Sequence, residues 1–216
     1  MKRRVFLSCL AASGVAGCLS GSGSNTKLRG NLEHGASAYS HLAPGDRVPD
    51  VSLMEPLRGK EVSIRDFDTP VLMTFMYSNC RTVCPKLTGI LRNVQTDAVE
   101  NGYSDEVNFV EVTFDPERDT AEKLRKYNDE MSIDYSAGDW HYLRPKNRSR
   151  AEKVVESDFG VYFNRTHPDD MEKYMFSHLG LILLVNRDGY VEKAYRVTGS
   201  GVTWQKVRDD LKKLLD

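Results

Sequence analysis

Hydrophobic residues occur along this chain in short continuous runs separated by stretches of helical spacing. Residues 71–77 and 179–185 are almost entirely apolar, which is typical of strands that are buried on both faces. Other segments place apolar side chains three and four residues apart, as amphipathic helices do. This alternation of strands and helices predicts an α/β fold with parallel strands at its centre.

The predicted order is a strand pair, two strand–helix units, a short strand, a third helix, a β-hairpin and a closing helix. Asp119 is expected to cap the second helix, with Glu122 as its capping-box partner. The predicted helices begin near residues 85, 120, 151 and 204. The predicted strands are 51–53, 62–64, 71–77, 107–114, 140–143, 179–185 and 190–197.

The N-terminus has the pattern of an export signal. A charged start with paired arginines precedes an apolar run over residues 5–16, which is shorter than the ~20 residues that span a membrane. The paired arginines resemble a twin-arginine signal. Residues 15–18 resemble a lipobox, so we expect residues 1–17 to be a signal peptide and Cys18 to be lipidated. A plain cleaved signal is the alternative.

The segment 18–43 starts with a Gly/Ser-rich stretch and is expected to be a flexible linker to the lipid. This arrangement predicts an exported protein anchored to the outer face of the cytoplasmic membrane. Residues 44–216 are enough for one domain with a substantial core. The 30 basic and 31 acidic residues are interspersed and give a net charge of −1, so no basic patch argues for nucleic acid.

Cys80 and Cys84 are the two cysteines that remain in the domain, and they follow the buried run 71–77. If the first turn is helical, their spacing places both side chains on one helix face. The helix N-terminus, the cation Arg81 and the partner sulfur are each expected to lower a thiol pKa. The sequence therefore predicts at least one thiolate at neutral pH.

This dithiol could form a structural disulfide, act as a redox pair or bind a metal. A disulfide across so short a ring stabilises a fold by only about 2 kcal/mol, which is little for a domain of this size. Thiolates favour copper(I), zinc or iron–sulfur clusters, but structural zinc sites and iron–sulfur clusters need four ligands. Two sulfurs, with or without one histidine, therefore suit copper(I).

A dithiol at the first strand-to-helix junction of an α/β chain predicts a thioredoxin-like fold. In that sheet, the strand formed by residues 179–185 begins close to the dithiol. His178 immediately precedes this strand and is therefore the candidate third ligand, although a satisfied strand-end histidine is the alternative. The other histidines are predicted to be solvated, exposed or half-buried: His34, His41, His141 and His167.

Three blocks of sequence resemble the Sco/SenC family and occur in that family's order. The first is Phe-x-Tyr-x-x-Cys-x-x-x-Cys-Pro over residues 75–85. The second, within residues 112–120, is an Asp-Pro-x-x-Asp-Thr segment that follows a strand. The third is Tyr-Met-Phe-Ser-His over residues 174–178, followed by an apolar strand and an Asn-Arg-Asp-Gly turn. The resemblance extends over about residues 44–215.

The resemblance implies a membrane-tethered, thioredoxin-like copper protein with Cys80, Cys84 and His178 as the metal ligands. It also implies a role in assembling the binuclear Cu-A centre of cytochrome c oxidase, with the copper-bearing subunit as partner. Because such a protein must release its metal, we expect all three ligands to lie near the surface.

Two features of this chain leave alternatives open. Arg81 and Thr82 stand where the family usually has a proline and then an acidic residue, which could favour thiol chemistry over metal binding. The alternative function is therefore a thiol–disulfide oxidoreductase that reduces the cysteines of the target copper site, although Cys-x-x-Cys is the usual redox spacing. Asp115 could orient His178, or could simply start the turn before Pro116.

Overall fold

The computed structural model describes residues 25–28, 40–137, 139–168, 173–197 and 201–215. The expected signal peptide, Cys18, most of the expected linker and His34 lie outside these residues, so their roles stay predictions. Within the described part of the chain, no helix combines the length and the apolar character needed to cross a bilayer.

The strands form one central sheet and two small antiparallel pairs. Each strand of residues 71–76 and 181–185 is buried along its whole length, as their continuous apolar runs predict. The strands are β1 (Ser52–Glu55), β2 (Lys60–Ser63), β3 (Val71–Met76), β4 (Asn108–Thr113), β5 (Trp140–Leu143), β6 (Phe163–Thr166), β7 (Met175–His178), β8 (Leu181–Val185) and β9 (Val191–Arg196).

The central sheet is mixed and has the strand order β5-β4-β3-β8-β9. Strands β3, β4 and β5 are parallel, whereas β8 is antiparallel to both β3 and β9. The N-terminal pair β1–β2 and the C-terminal hairpin β8–β9 both form as predicted. The arrangement is the thioredoxin-like fold expected from the sequence.

Four helices complete the domain in the described residues, and α1 contacts β3, β4, α2 and α4. The third helix continues from four α-helical residues into a π-helical segment, Glu152–Asp158. The helices are α1 (Val83–Glu100), α2 (Ala121–Met131), α3 (Arg148–Ala151) and α4 (Trp204–Leu215).

The cap of α2 differs from the prediction. Thr120, not Asp119, is the N-cap, and its side chain accepts a hydrogen bond from the backbone N–H of Lys123. Asp119 is completely buried, and its carboxylate accepts hydrogen bonds from Ser78 and from Thr113 of β4 instead. The sequence could not separate these roles, because Asp and Thr are both good N-cap residues and stand side by side.

The pair β6–β7 was missed in the sequence, and it is the pair that carries His178. Phe163 lies opposite His178 in its register, and Thr166 opposite Met175. Each strand has only four residues with a mixed burial pattern, so neither produces a clear periodicity. As a result, β8 begins at Leu181 rather than at residue 179.

Part of the expected linker packs on the domain. The backbone N–H groups of Lys27 and Leu28 donate to the carboxylate of Glu192 at 2.9 and 2.7 Å. Further along, the N–H of Leu42 donates to the carbonyl of Phe159 at 3.2 Å. The packed domain therefore includes residues that the sequence assigned to the linker.

Gly160 provides a test of this packing. Its φ is +70°, and an added Cβ would lie 1.8 Å from the carbonyl oxygen of Ser40 and 2.7 Å from Cα of His41. Gly160→Ala is therefore expected to lower the free energy of unfolding by at least ~3 kcal/mol, because strain and a backbone clash combine.

The matched control is Gly59→Ala. Gly59 has a similar φ of +67°, but nothing lies within 4 Å of an added Cβ, so this variant should lose only the ~1–2 kcal/mol of a left-handed backbone. Urea unfolding of both variants measures the difference. Equal losses would show that residues 40–41 do not pack against Gly160.

A second test concerns Glu111, which lies fully buried in β4. Burial raises the pKa of its carboxyl group to about 8 from an ordinary value of 4.5. Since the folded-state pKa is the higher one, this group's contribution to stability is complete below about pH 4.5 and is lost as pH rises through about 8. The side chain of Glu111→Gln cannot titrate. The free energy of unfolding of this variant, relative to that of the parent protein, should therefore increase as pH rises towards 8.

Unfolding free energies measured by urea titration between about pH 5 and 8 test this expectation. Glu61→Gln, at an exposed position of β2, controls for the simple loss of a carboxylate. Parallel pH profiles for Glu111→Gln and the parent protein would contradict the assignment.

Candidate metal centre

The loop between β3 and α1 presents Cys80, and a buried carboxylate holds this loop in place. Asp119 accepts hydrogen bonds from both the backbone N–H and the hydroxyl of Ser78, and from the hydroxyl of Thr113 at the end of β4. The N–H of Cys80 donates to the carbonyl of Tyr77 at 3.1 Å, which closes the turn. Asp119 therefore ties the Cys80 loop to the neighbouring strand.

The two cysteines are free thiols that are brought together by the loop, not by helical spacing. Helix α1 begins at Val83, so Cys84 lies in its first turn while Cys80 precedes it. The backbone N–H of Cys84 points at the sulfur of Cys80, with 3.4 Å between nitrogen and Sγ. The shared helix face was expected only if the turn were helical from Cys80 onward, and this condition is not met because α1 begins at Val83. The predicted convergence of the two sulfurs is nevertheless present.

His178 completes the cluster from β7. Its Nε2 lies 3.2 Å from Sγ of Cys84, and the three potential ligand atoms of Cys80, Cys84 and His178 all lie within 4.8 Å of one another. Strand β7 thus brings a side chain from late in the chain to the start of α1.

The surroundings of His178 orient its ring. Nδ1 lies 3.2 Å from the carbonyl oxygen of Leu179. In the tautomer in which Nδ1 donates there, Nε2 directs its lone pair towards the sulfurs, an arrangement common among metal-binding histidines. The rings of Phe114 and Tyr77, with centroids at 4.9 and 6.2 Å, pack beside the imidazole.

Tyr174 anchors the β6–β7 pair to the rest of the site. The guanidinium groups of Arg118 and Arg165 lie 3.6 and 3.8 Å from its ring centroid. Its hydroxyl donates to Asp115 at 2.8 Å, while Arg118 bonds both Asp115 and the Tyr174 carbonyl. Cation–π contacts and charged hydrogen bonds therefore fix the strand that bears His178.

Asp115 acts on this anchor and not on the imidazole itself. The His178 ring lies within hydrogen-bond reach of Cys84 and Leu179, and it also hydrogen-bonds to Cys80. Asp115 is buried, and its side chain bonds Arg118 and Tyr174. An influence of Asp115 on the site stays a prediction, and it would pass through Tyr174.

Gly180 allows the segment after His178 to approach α1 closely. A Cβ at this position would lie 2.7 Å from a methyl group of Val83, the first residue of the helix. The absence of a side chain therefore lets the two halves of the cluster meet.

The two thiols have opposite pKa shifts. A hydrogen bond from the Cys84 side chain is the largest cause that lowers the pKa of Cys80 to about 3, and hydrogen bonds from His178 and then from backbone N–H groups assist it against burial. Burial, followed by the proximity of Cys80, raises the pKa of Cys84 well above its ordinary value. The thiolate predicted from the sequence is thus Cys80, and Cys84 is its proton donor. Arg81, a further expected cause, is exposed.

The cluster is less open than expected. Cys84 is 0% exposed and Cys80 is 5% exposed, while His178 is half-buried. The expectation that all three side chains lie near the surface is therefore wrong for Cys84. Cys80 is buried as well, and His178 is the most exposed of the three side chains.

The other histidines within the described residues do not join the cluster. His167 is exposed as predicted, whereas His41 and His141 are buried. The imidazole of His141 lies within hydrogen-bond reach of Glu55 and Asn108 at 3.1 and 3.0 Å. The prediction of a surface or half-buried His141 is wrong, because its short strand β5 is covered on both faces.

Comparisons with known proteins agree with this fold. The SCO1/SenC family profile matches residues 53–216. The SCO1 protein homolog of Bacillus subtilis is 25% identical over 138 residues, which cover 63% of this chain and 67% of that protein. The chain belongs to the SCO1/SenC family.

Solved structures show the same fold. The copper-bound ScoI of Bradyrhizobium japonicum superposes with a TM-score of 0.60 at 26% identity, over 78% of this chain and 99% of that one. BsSco, described as a member of the Sco family of cytochrome c oxidase assembly proteins with a disulfide switch, has a TM-score of 0.61 at 21% identity. That match covers 82% of this chain and 96% of BsSco.

The reactivity of Cys80 tests the pKa assignment. Since its pKa is lowered to about 3, alkylation of Cys80 in the metal-free protein should be independent of pH between about 5 and 8. Cys84→Ala removes the main hydrogen-bond donor, so the pKa of Cys80 should rise and its alkylation should become faster with increasing pH. Iodoacetamide kinetics followed by mass spectrometry measure both profiles.

Cys80→Ala is the control, because the remaining Cys84 is buried and protonated and should alkylate slowly throughout. A parent rate that rises about tenfold per pH unit through neutrality, as for an unperturbed thiol, would contradict the assignment.

Proposed function

We propose that this protein binds copper(I) through Cys80, Cys84 and His178 and delivers it to the copper-bearing subunit of cytochrome c oxidase during assembly of the Cu-A centre. The observation that carries the proposal is the convergence of two sulfurs and one imidazole nitrogen within 4.8 Å. Membership of the SCO1/SenC family supports the assembly role.

The donor set favours copper(I) over other soft metals. Among the described residues, the cluster comprises two cysteines and one histidine, with no fourth cysteine, histidine or carboxylate. Structural zinc sites and iron–sulfur clusters use four protein ligands, whereas soft thiolates select copper(I). The copper-bound relative from Bradyrhizobium japonicum, at 26% identity, supports the same choice.

The protonation states suit reversible binding. Cys80 is ready to bind as a thiolate, while Cys84 must lose its proton, so binding of the metal releases a proton and becomes weaker as pH falls. The apolar wall of Phe114 and Tyr77 limits contact of the cargo with water. Access through the Cys80 side leaves a route for exchange with a partner's ligands.

The location that we propose follows from the N-terminal sequence. A lipidated Cys18, followed by the Gly/Ser-rich stretch, would hold the domain at the outer face of the cytoplasmic membrane. A tether of this kind raises the effective concentration of the domain near a membrane-bound oxidase subunit.

A thiol–disulfide oxidoreductase is the second candidate function, and the lowered pKa of Cys80 favours it. A Cys80 thiolate can attack a disulfide in the target, and Cys84 can then attack the mixed disulfide. The target is thereby reduced, and Cys80 and Cys84 become oxidised to a disulfide. This reaction uses both sulfurs and does not require His178.

Replacement of His178 separates the two functions. His178→Ala is expected to weaken copper(I) binding at least ~10–100-fold, since loss of a ligand should cost no less than loss of a residue that supports one. Competition with a chromophoric copper(I) chelator measures the affinity, and a glutathione redox titration measures the dithiol potential.

His167→Ala is the matched control, because His167 is exposed directly after β6 and lies outside the cluster. Unchanged copper affinity in His178→Ala would refute the three-ligand site. Unchanged copper affinity combined with an unchanged dithiol potential would favour the oxidoreductase, which does not require His178.

A further inference from the structure

A polar cleft of about 400 Å³ opens directly beside Cys80. The loop between β3 and α1 forms one wall, and α2 forms the other. Its lining contains three cationic side chains, one acidic side chain and a few apolar groups. The charged lining residues are Arg81, Lys123, Lys126 and Glu130.

The positive charges of the cleft are only weakly neutralised by acidic side chains. All four charged side chains are exposed. Lys126 and Glu130 lie one helical turn apart at 3.7 Å, a separation at which an exposed pair contributes little. Within the described part of the chain, neither Arg81 nor Lys123 takes part in an ion pair. The cleft is therefore locally cationic although the whole chain carries a net charge of −1.

The position of the cleft relates it to metal exchange. Of the three residues of the cluster, only Cys80 lines this cleft. Cys84 is 0% exposed whereas Cys80 is 5% exposed, so a ligand that enters through this cleft meets Cys80 before Cys84. A protein that exchanges ligands at Cys80 from this side would lie over Arg81, Lys123 and Lys126.

We propose that this cleft docks an acidic segment of the copper-accepting protein, next to the side chains with which that protein takes the metal from Cys80. This inference rests on the proposed function and adds the chemistry of the partner. Cations around a reactive centre attract carboxylates, speed association and fix the orientation of the complex.

An acidic peptide fits the cleft better than a nucleic acid does. Nucleic-acid sites use extended basic surfaces that follow a phosphate backbone. Here the cations occupy one small concave site, together with the carboxylate of Glu130 and the apolar side chains of Pro85 and Met131. A short peptide with carboxylate and apolar side chains matches this mixture.

The test uses the reduced, metal-free protein and two labelled peptides. One peptide is rich in glutamate, and the other has glutamine at the same positions. Fluorescence anisotropy should show that the glutamate peptide binds more tightly and that its binding weakens as salt increases. Lys123→Gln/Lys126→Gln should weaken binding of the glutamate peptide about threefold to tenfold and leave the glutamine peptide unaffected.

Lys60→Gln/Lys193→Gln is the matched control, because it removes the same charge from lysines that do not line the cleft. Equal loss of binding in both double variants would overturn the proposal, since only net charge would then matter. Equal binding of the two peptides, or displacement of the glutamate peptide by inorganic phosphate at equal concentration, would overturn it as well.

The outcome is separable from that of the proposed function. Docking is measured without copper, whereas the copper site is tested by the affinity of His178→Ala. If copper binds through three ligands but the two peptides bind equally, the docking site is wrong and the metal site stands. If the cleft selects the glutamate peptide but copper affinity does not depend on His178, the three-ligand metal site is wrong and the docking site stands.

Discussion

The hydrogen bonds that hold Cys80 as a thiolate are the interaction on which the rest of the site depends. The side chain of Cys84 and the backbone N–H at the start of α1 both stabilise the sulfur of Cys80. Cys84 stays protonated and donates a hydrogen bond to the Cys80 thiolate. The two buried sulfurs can therefore lie side by side without two adjacent negative charges. The helix N-terminus serves the cysteine that precedes the helix, and not the one within it.

The imidazole reaches these sulfurs because a strand pair outside the central sheet is fixed independently. Tyr174 lies between two guanidinium groups and bonds to Asp115, and this anchor sits beside the loop that follows β4. Asp119, from the same loop, holds the turn that carries Cys80 through Ser78. One loop therefore positions both halves of the cluster, which explains why its carboxylates are buried.

The sequence predicted the elements with strong periodicity and missed those without it. The continuous apolar runs identified β3 and β8, and the dithiol after β3 correctly indicated a thioredoxin-like sheet. The pair β6–β7 stayed hidden because its short strands alternate too weakly to show a period. Likewise, local sequence could not show that Asp119 bonds to Ser78, 41 positions earlier, rather than capping α2. His141 is buried by contacts between β1 and β5, such as that with Glu55. These contacts join distant parts of the chain, so the local sequence around His141 could not predict them.

The most direct test of the account is X-ray absorption spectroscopy of the copper(I)-loaded protein. The account predicts a copper ion bound by two sulfur atoms and one imidazole nitrogen, with the multiple-scattering signature of a histidine ring. Cys80, Cys84 and His178 are the proposed ligands, because their donor atoms converge within 4.8 Å. A spectrum fitted by sulfur ligands alone, with no imidazole contribution, would contradict the central claim.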